Sequence, residues 1–470
     1  MNNKLTHTLL SSLGAILVLG IAPEQCFAQT RQTIVPTRVA DLNPTGGSNP
    51  VDLHIGGTGN STIYFVAAVP GKASIPVPTL YRSDGSTKGT VKLDEHPSEI
   101  EIIAANIKAM AYVKKNAAGK AVNLIIHRGT LGNLEHPLLP VHDYKGYNAT
   151  LTNDLLLSGA ALTTDIGFEP YTFSLTERRS TLIRDMATGS DHSQASTFFY
   201  TGTKWYFSPW STTLCRTDLT PTGTKCSTDP ASGFANYYKF EPGSSGQQIL
   251  HTGAASYLPG WMILGNQPLG GQILQEVVIS ISDQWTSSYM SAPQYESMDP
   301  QYLTSFNGKT YLYGTAFFPS GEFEYLWDRR PGVITRGVDG TELVSEGNCK
   351  HLMAFNGAMW FFRYNNAQGA FALWSSDGTS AGTRSRYVLE AGYEPSTPIG
   401  CNGKLYFTMT AGRATKLWRV DGGALGPQQV APTNAVAPNS ISSEAMKVMN
   451  NALYFVADFD GTGAELWKVQ

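Results

Sequence analysis

The residues best suited to chemistry in this chain are histidines with carboxylates close by. Six histidines fall on, or lead into, the first segment of successive groups of short apolar segments: His54, His96, His142, His192, His251 and His351. Asp52, Glu99, Asp143 and Asp191 accompany several of them. Imidazole beside carboxylate could hold a divalent metal or exchange protons as general acid and base. His54 follows Leu53 whereas His351 precedes Leu352, so the two side chains are expected to face different ways along their strands. A second constellation is Asp458-Phe459-Asp460-Gly461-Thr462-Gly463, with Glu465 two residues on. Alternate carboxylates at Asp458 and Asp460 could offer oxygens to Ca²⁺, and calcium or another divalent metal is the cofactor the sequence leaves open without requiring one. The third alternating ligand and the distal Glu of a calcium loop are missing, so a plain hairpin turn competes with that reading. No nucleophile elbow, zincin helix, phosphate-cradling loop or dinucleotide fingerprint occurs.

These residues sit in a chain built for export. Lys4 precedes the apolar run Leu9 to Ile21, and Cys26-Phe27-Ala28 supplies a small residue just before Gln29. That pattern reads as a signal peptide over residues 1–28, leaving one domain over 29–470 that is secreted or periplasmic. Pro23-Glu24-Gln25 is not the small apolar set that would make Cys26 a lipid anchor. No later run reaches the roughly 18 apolar residues of a membrane span. A net charge of −3, without a Lys/Arg run, gives nucleic acid nothing to hold. Aromatics at 11% exclude a disordered chain. A monomer is expected.

The elements that must position the candidates come from an internal repeat. Its clearest copy is Leu373-Trp374-Ser375-Ser376-Asp377-Gly378-Thr379-Ser380-Ala381-Gly382-Thr383. Leu80-Tyr81-Arg82-Ser83-Asp84-Gly85 and Leu417-Trp418-Arg419-Val420-Asp421-Gly422 repeat it, Leu214-Cys215-Arg216-Thr217-Asp218 more weakly, and Glu465-Leu466-Trp467 ends the series. Upstream of each lies a second element such as Asn402-Gly403-Lys404-Leu405-Tyr406-Phe407. Its central residue recurs as Tyr64, Tyr112, Leu156, Tyr206, Met262, Tyr311, Trp360, Tyr406 and Tyr454, eight steps over 390 residues or just under 49 each. Copies two, three and five are degenerate, so nine units and eight both stand. In copy eight the expected strands are 396–401, 405–410, 416–420 and 428–431, separated by Asn-Gly and Asp-Gly turns. Four short strands per unit of 40–50 residues, with no capped helical period, predict an all-β chain forming a single β-propeller of about nine four-stranded blades. Thr37-Arg38-Val39-Ala40-Asp41-Leu42 reads as the fourth strand of the last unit, whose own segment stops at its third, so the two termini would close the ring.

The Leu-Trp-x-x-Asp-Gly-Thr-x-x-Gly-Thr unit resembles the ELWxxDGT repeat of secreted bacterial proteins, viewed as propeller-forming. The resemblance covers nearly all of residues 29–470, although only Glu465 retains the opening Glu beside Leu-Trp. It implies fold and export, and supplies no catalytic residues.

The repeat residues themselves have structural duties. Asp in an Asp-Gly turn bonds nearby amides and Gly accepts positive φ, so Asp84, Asp377 and Asp421 are expected in turns. The aromatic slot (Tyr81, Trp327, Trp374, Trp418, Trp467) is expected to pack between blades. In copy four Cys215 takes that slot. If Asp218 to Gly223 form the turn, Thr217 faces Thr224, Arg216 faces Lys225 and Cys215 faces Cys226, which predicts a disulfide. Cys349 and Cys401 fall on first strands of adjacent copies but at opposite ends, which argues against their pairing. The functional expectation is a non-catalytic binding or interaction module for a glycan, peptide or protein partner. The alternative is a glycan hydrolase or lyase at the channel mouth, with His96, Glu99 and Glu101 the first residues to inspect.

Overall fold

The computed structural model describes residues 34–470 except 71–75, 140–148, 194, 201–204, 211–212, 227–260, 265–276, 282–286, 290–300, 308, 320–326, 338–339, 422–425 and 437–440. Thr33–Gln470 is one compact unit. The described secondary structure is strand apart from two 3-10 turns, Thr58–Asn60 and Gly129–Leu131. No described helix is long and apolar enough to cross a membrane.

The described strands form nine antiparallel sheets in chain order, most of them four-stranded. Sheet one holds Val51–Gly56, Thr62–Pro70, Pro76–Ser83 and Val91–Glu95, each pairing with the next. Sheet two repeats this with Glu99–Ala105, Met110–Lys115, Ala121–His127 and Asn133–Pro137. Sheets three to nine begin at Thr150, Ser196, Trp261, Gln301, Cys349, Glu394 and Ile441. The ninth is completed from the other end of the chain. Thr37–Arg38 pairs antiparallel with Glu465–Val469, Thr37 opposite Lys468 and Arg38 opposite Trp467.

Burial follows strand position. The second strand of sheet nine, Ala452–Ala457, is buried at every residue, because both faces of each sheet are covered by neighbours. The outermost strand of sheet seven, Arg384–Val388, is exposed at four of five residues. Apolar clusters lie in the seams between consecutive sheets. Phe65, Tyr454 and Leu466 join sheets nine and one, and Tyr64, Leu80 and Tyr112 join one and two. Leu124 and Phe173 join two and three, Leu157 and Phe207 three and four, and Tyr311 and Phe361 six and seven. Phe362 and Trp418 join seven and eight, and Tyr406 and Trp467 eight and nine. The aromatic slot belongs to these seams: Trp418 and Trp467 are buried in them, and Tyr81 and Trp374 pack against them. The side chain of Trp327 lies outside the described residues.

The Asp-Gly turns explain the rest of the repeat. Asp377 Oδ1 accepts from the Thr379 amide (2.9 Å) and hydroxyl (2.7 Å), Gly378 sits at φ +96°, and Ser376 and Thr383 hydroxyls meet at 2.7 Å. Asp84 makes the same turn with Ser86, and Asp218 with Thr220. Asp421, just past its strand, pairs with Arg419 (2.7 Å), and the rest of its expected turn, residues 422–425, lies outside the described residues. The register of sheet four places Cys215 opposite Cys226 and Arg216 opposite Lys225, and the two cysteines are disulfide-bonded. Cys349 and Cys401 are not bridged; they are buried in different seams.

Candidate functional site on the inner strands

First strands lie against each other between sheets nine and one, one and two, two and three, three and four, and six and seven, so these strands form the inner side of the array. Most of them carry a β-bulge, where one or two residues lose their ladder partner and the side chain is re-aimed. In sheet one the break falls between Val51 and His54, in sheet seven between Lys350 and Met353, and in sheet four between Ser196 and Phe199. Asp52 (φ +53°) and His351 (φ +58°) occupy the same bulge position in left-handed backbone that few non-glycine residues adopt. Two sequence candidates are thus brought to equivalent places on different sheets.

Both reach forward to the next sheet. Asp52 Oδ2 accepts from the Ile102 amide of sheet two (3.4 Å). The His351 ring meets the Pro395 carbonyl through Nε2 (3.1 Å) and the Thr397 hydroxyl through Nδ1 (3.0 Å), both in sheet eight. The assigned tautomer therefore has Nε2–H donating and Nδ1 accepting. Thr150 of sheet three likewise donates to the Phe198 carbonyl in the bulge of sheet four. These polar side chains tie one inner strand to the next.

Around Asp52 the inner strands hold the densest set of charges. Lys115 Nζ bridges Glu99 Oε1 (2.6 Å) and Glu101 Oε2 (2.7 Å). Burial first, then the Glu101 carboxylate, pushes Asp52 up to about 6; the Ile102 amide and Lys115 oppose the shift without cancelling it. Burial and Lys447 of sheet nine push the neighbouring His54 down to about 4. A carboxyl whose folded value lies above its unfolded one is most favourable below pH 3.8 and loses that contribution as pH rises through 6. Asparagine copies the protonated carboxyl and tolerates positive φ. Asp52→Asn is accordingly expected to raise stability at pH 7 by about 1–3 kcal/mol and to leave it unchanged at pH 4. Thermal melts of both proteins at the two pH values check this, and equal melting at pH 7 would refute the strained carboxyl.

The other candidates do not join this cluster. His192 accepts from the Phe168 amide through Nδ1 (2.8 Å) on the connection between sheets three and four, beside exposed Asp191. His96 follows the outermost strand of sheet one, where its Nδ1 accepts from the Ser98 amide (3.4 Å). His142, Asp143 and His251 lie outside the described residues. The expected ring of histidines and carboxylates is thus not one site among the described residues: bulge geometry and strand position send His54, His96, His192 and His351 to different seams and connections. No group of three or more metal-ligating side chains converges among the described residues. At the proposed calcium loop, Asp458 Oδ1 accepts from the amides of Gly461 (2.8 Å) and Gly463 (3.1 Å). Asp460 accepts from the Thr462 amide and hydroxyl and from Arg38 Nη1 (3.1 Å). The amide and hydroxyl donors belong to a hairpin turn, and together with Arg38 from the N-terminal strand they occupy oxygens that a cation would need.

One role escaped the sequence reading. Glu465 is 2% exposed, and its carboxylate accepts from Ser48 N (2.9 Å) and Ser48 Oγ (2.6 Å) on the connection into sheet one. Glu169 is fully buried and accepts from Ser193 N (3.2 Å) on the connection into sheet four, and from the Met186 and Ala187 amides. The opening Glu of the repeat therefore fastens the crossover to the next sheet. Glu169-Pro170-Tyr171 was legible as a second copy of Glu465-Leu466-Trp467 from its spacing to an aromatic. Burial raises both carboxyls above the usual range.

Four-stranded antiparallel sheets in series, touching along their first strands and packed face to face, define the class as a β-propeller. The chain is similar to the β-propeller domain of the Trilobed protease from Pyrococcus furiosus, at 10% identity over 84% of this chain and 98% of that one, TM-score 0.35. Saccharomyces cerevisiae Sqt1 matches at 10% identity over 93% and 100% of the two chains, TM-score 0.36. A prolyl endopeptidase structure matches at 9% identity over 77% of this chain and 48% of that one, TM-score 0.39, so the chain spans about half of that enzyme. No protein-family model matches the chain, and no curated protein matches it in sequence.

Proposed function

We propose that the chain is an exported, monomeric, closed β-propeller of nine blades, of the ELWxxDGT-repeat kind, acting as a non-catalytic binding module for a glycan, peptide or protein partner. The pairing of Thr37–Arg38 with Glu465–Val469, and the core that sheets nine and one share, support closure. The observation that carries the non-catalytic reading is how the inner-strand polar groups are used. Asp52 and His351 tie sheets together, and Glu99 and Glu101 are both paired with Lys115. A leader removed near Ala28 places the protein in the periplasm or outside the cell, where no nucleic acid partner is expected.

A second reading has one observation in its favour. Asp52 holds its proton up to about pH 6 beside the Glu101 carboxylate, the asymmetry that separates an acid from its ionised partner in glycan cleavage. The test is to probe glycan and peptide arrays with the purified chain, then incubate it with every glycan bound and assay for new reducing ends and unsaturated products. Retention without products supports the binding module. Products that disappear in Glu101→Gln establish the enzyme instead, and no retention on either array refutes the proposed partner classes.

A further inference from the structure

We propose that His136, set between sheets two and three, and His351, set between sheets seven and eight, make those two seams acid-labile hinges of the propeller. His136 lies on the outermost strand of sheet two and is 4% exposed, edge-on to Phe173 of sheet three at 5.2 Å. Its Nε2 is buried without a hydrogen-bond partner, and the charge that faces it is the Arg178 cation of sheet three. A proton added there puts a second cation into an apolar seam. His351 bridges to Pro395 and Thr397 of sheet eight with its ring edge-on to Phe362 at 6.2 Å. Lys350 and Glu394 face it, and they are already paired with each other. A proton on His351 Nδ1 turns an acceptor into a donor, so the Thr397 hydroxyl must turn its own hydrogen elsewhere and accept, while the cation stays buried against Phe362.

Burial depresses both imidazoles, His351 to about 4. A depressed histidine stabilises fully above its unfolded value near 6.5, and that contribution is lost as pH falls toward the folded value. Asp52, Glu169 and Glu465 have raised values and change in the opposite sense, so global melting mixes the two trends. Local opening separates them. His54 shares the sign of His351 but sits two residues from Asp52, and is left out of the test for that reason.

Hydrogen–deuterium exchange of the purified chain at pH 7 and pH 4.5, corrected for intrinsic exchange rates, reads the hinges directly. Peptides covering Asn133–Pro137 and Cys349–Phe355 are expected to open up to about tenfold more for each pH unit below 6.5. Trp205–Trp210 of sheet four, which lies outside the seams that hold His54, His136 and His351, serves as the reference. His136→Phe should abolish the acid response at sheets two and three alone. His351→Asn, which tolerates the positive φ, should abolish it at sheets seven and eight alone. If His136→Phe does not fold, His136→Gln replaces it as a neutral polar variant. Equal acid response in reference and hinge peptides, or persistence of the response in the folded variants, would overturn the proposal.

Discussion

Removing Glu465–Gln470 is expected to leave no cooperatively folded protein. This strand is the third of sheet nine, hydrogen-bonded on one edge to Ala452–Ala457 and on the other to Thr37–Arg38. Without it the chain's first strand has no sheet to join. Leu466 (1% exposed), Trp467 and Val469 leave two seams at once, since Leu466 belongs to that between nine and one and the others to that between eight and nine. Three such side chains at about 2–3 kcal/mol each already approach the 5–15 kcal/mol that typically separates folded from unfolded. The Glu465 clasp on Ser48 goes with them. Soluble yield and a thermal transition followed by circular dichroism check the outcome. Deleting exposed Gln470 alone should change stability by no more than about 0.5 kcal/mol. A six-residue truncation that melts like the full chain would show that sheet nine does not depend on this strand.

Gly378→Ala is expected to cost about 2–5 kcal/mol, for reasons that lie on two different sheets. The backbone is at φ +96°, and an added Cβ would stand 2.3 Å from the Tyr311 hydroxyl, which reaches across from sheet six. Gly85 repeats the arrangement at φ +90°, with the Tyr454 hydroxyl 2.0 Å from the Cβ position. Here the reach is from sheet nine to sheet one. Tyr311→Phe in the Gly378→Ala background should recover part of the loss, because the ring carbon behind the hydroxyl remains at 3.0 Å. Denaturant unfolding of the two single variants and the double one measures this coupling. Strict additivity would mean that the tyrosine and the turn do not meet. Sheet four offers the exception: Leu219 fills the glycine position at φ +71° and packs against an apolar cluster that includes Leu157 of sheet three, which has no hydroxyl.

The repeat made the strands, turns and seams legible because each of its residues has a local duty. Asp-Gly writes a turn, an aromatic writes a seam, and facing cysteines across that turn write a disulfide. The spacing went astray by one residue in the degenerate copies. The period sets Tyr112 and Leu156 level with Tyr64, yet Tyr112 packs between sheets one and two, as Phe65 does between nine and one, and Leu156 packs between two and three. With a period of two, a slip of one residue turns a side chain to the opposite seam. The expected site was less legible for a related reason. A bulge is set by two strands meeting, so nothing in Val51-Asp52-Leu53-His54 or Lys350-His351-Leu352 alone says which side chain is re-aimed.

Sequence alone determined what is encoded within a few residues: the all-β character, the turn chemistry, the Cys215–Cys226 register and the apolar alternation that buries each second strand. Tertiary structure decided everything that depends on which sheet lies beside which. It made Asp52 and His351 ties between inner strands, placed Lys115 between Glu99 and Glu101, and turned Glu169 and Glu465 into clasps on distant serines. The physical reason is that hydrogen bonding and charge act through space over a few ångströms. Ser48 and Glu465, 417 residues apart in the chain, become partners only when the two ends of the chain share a sheet.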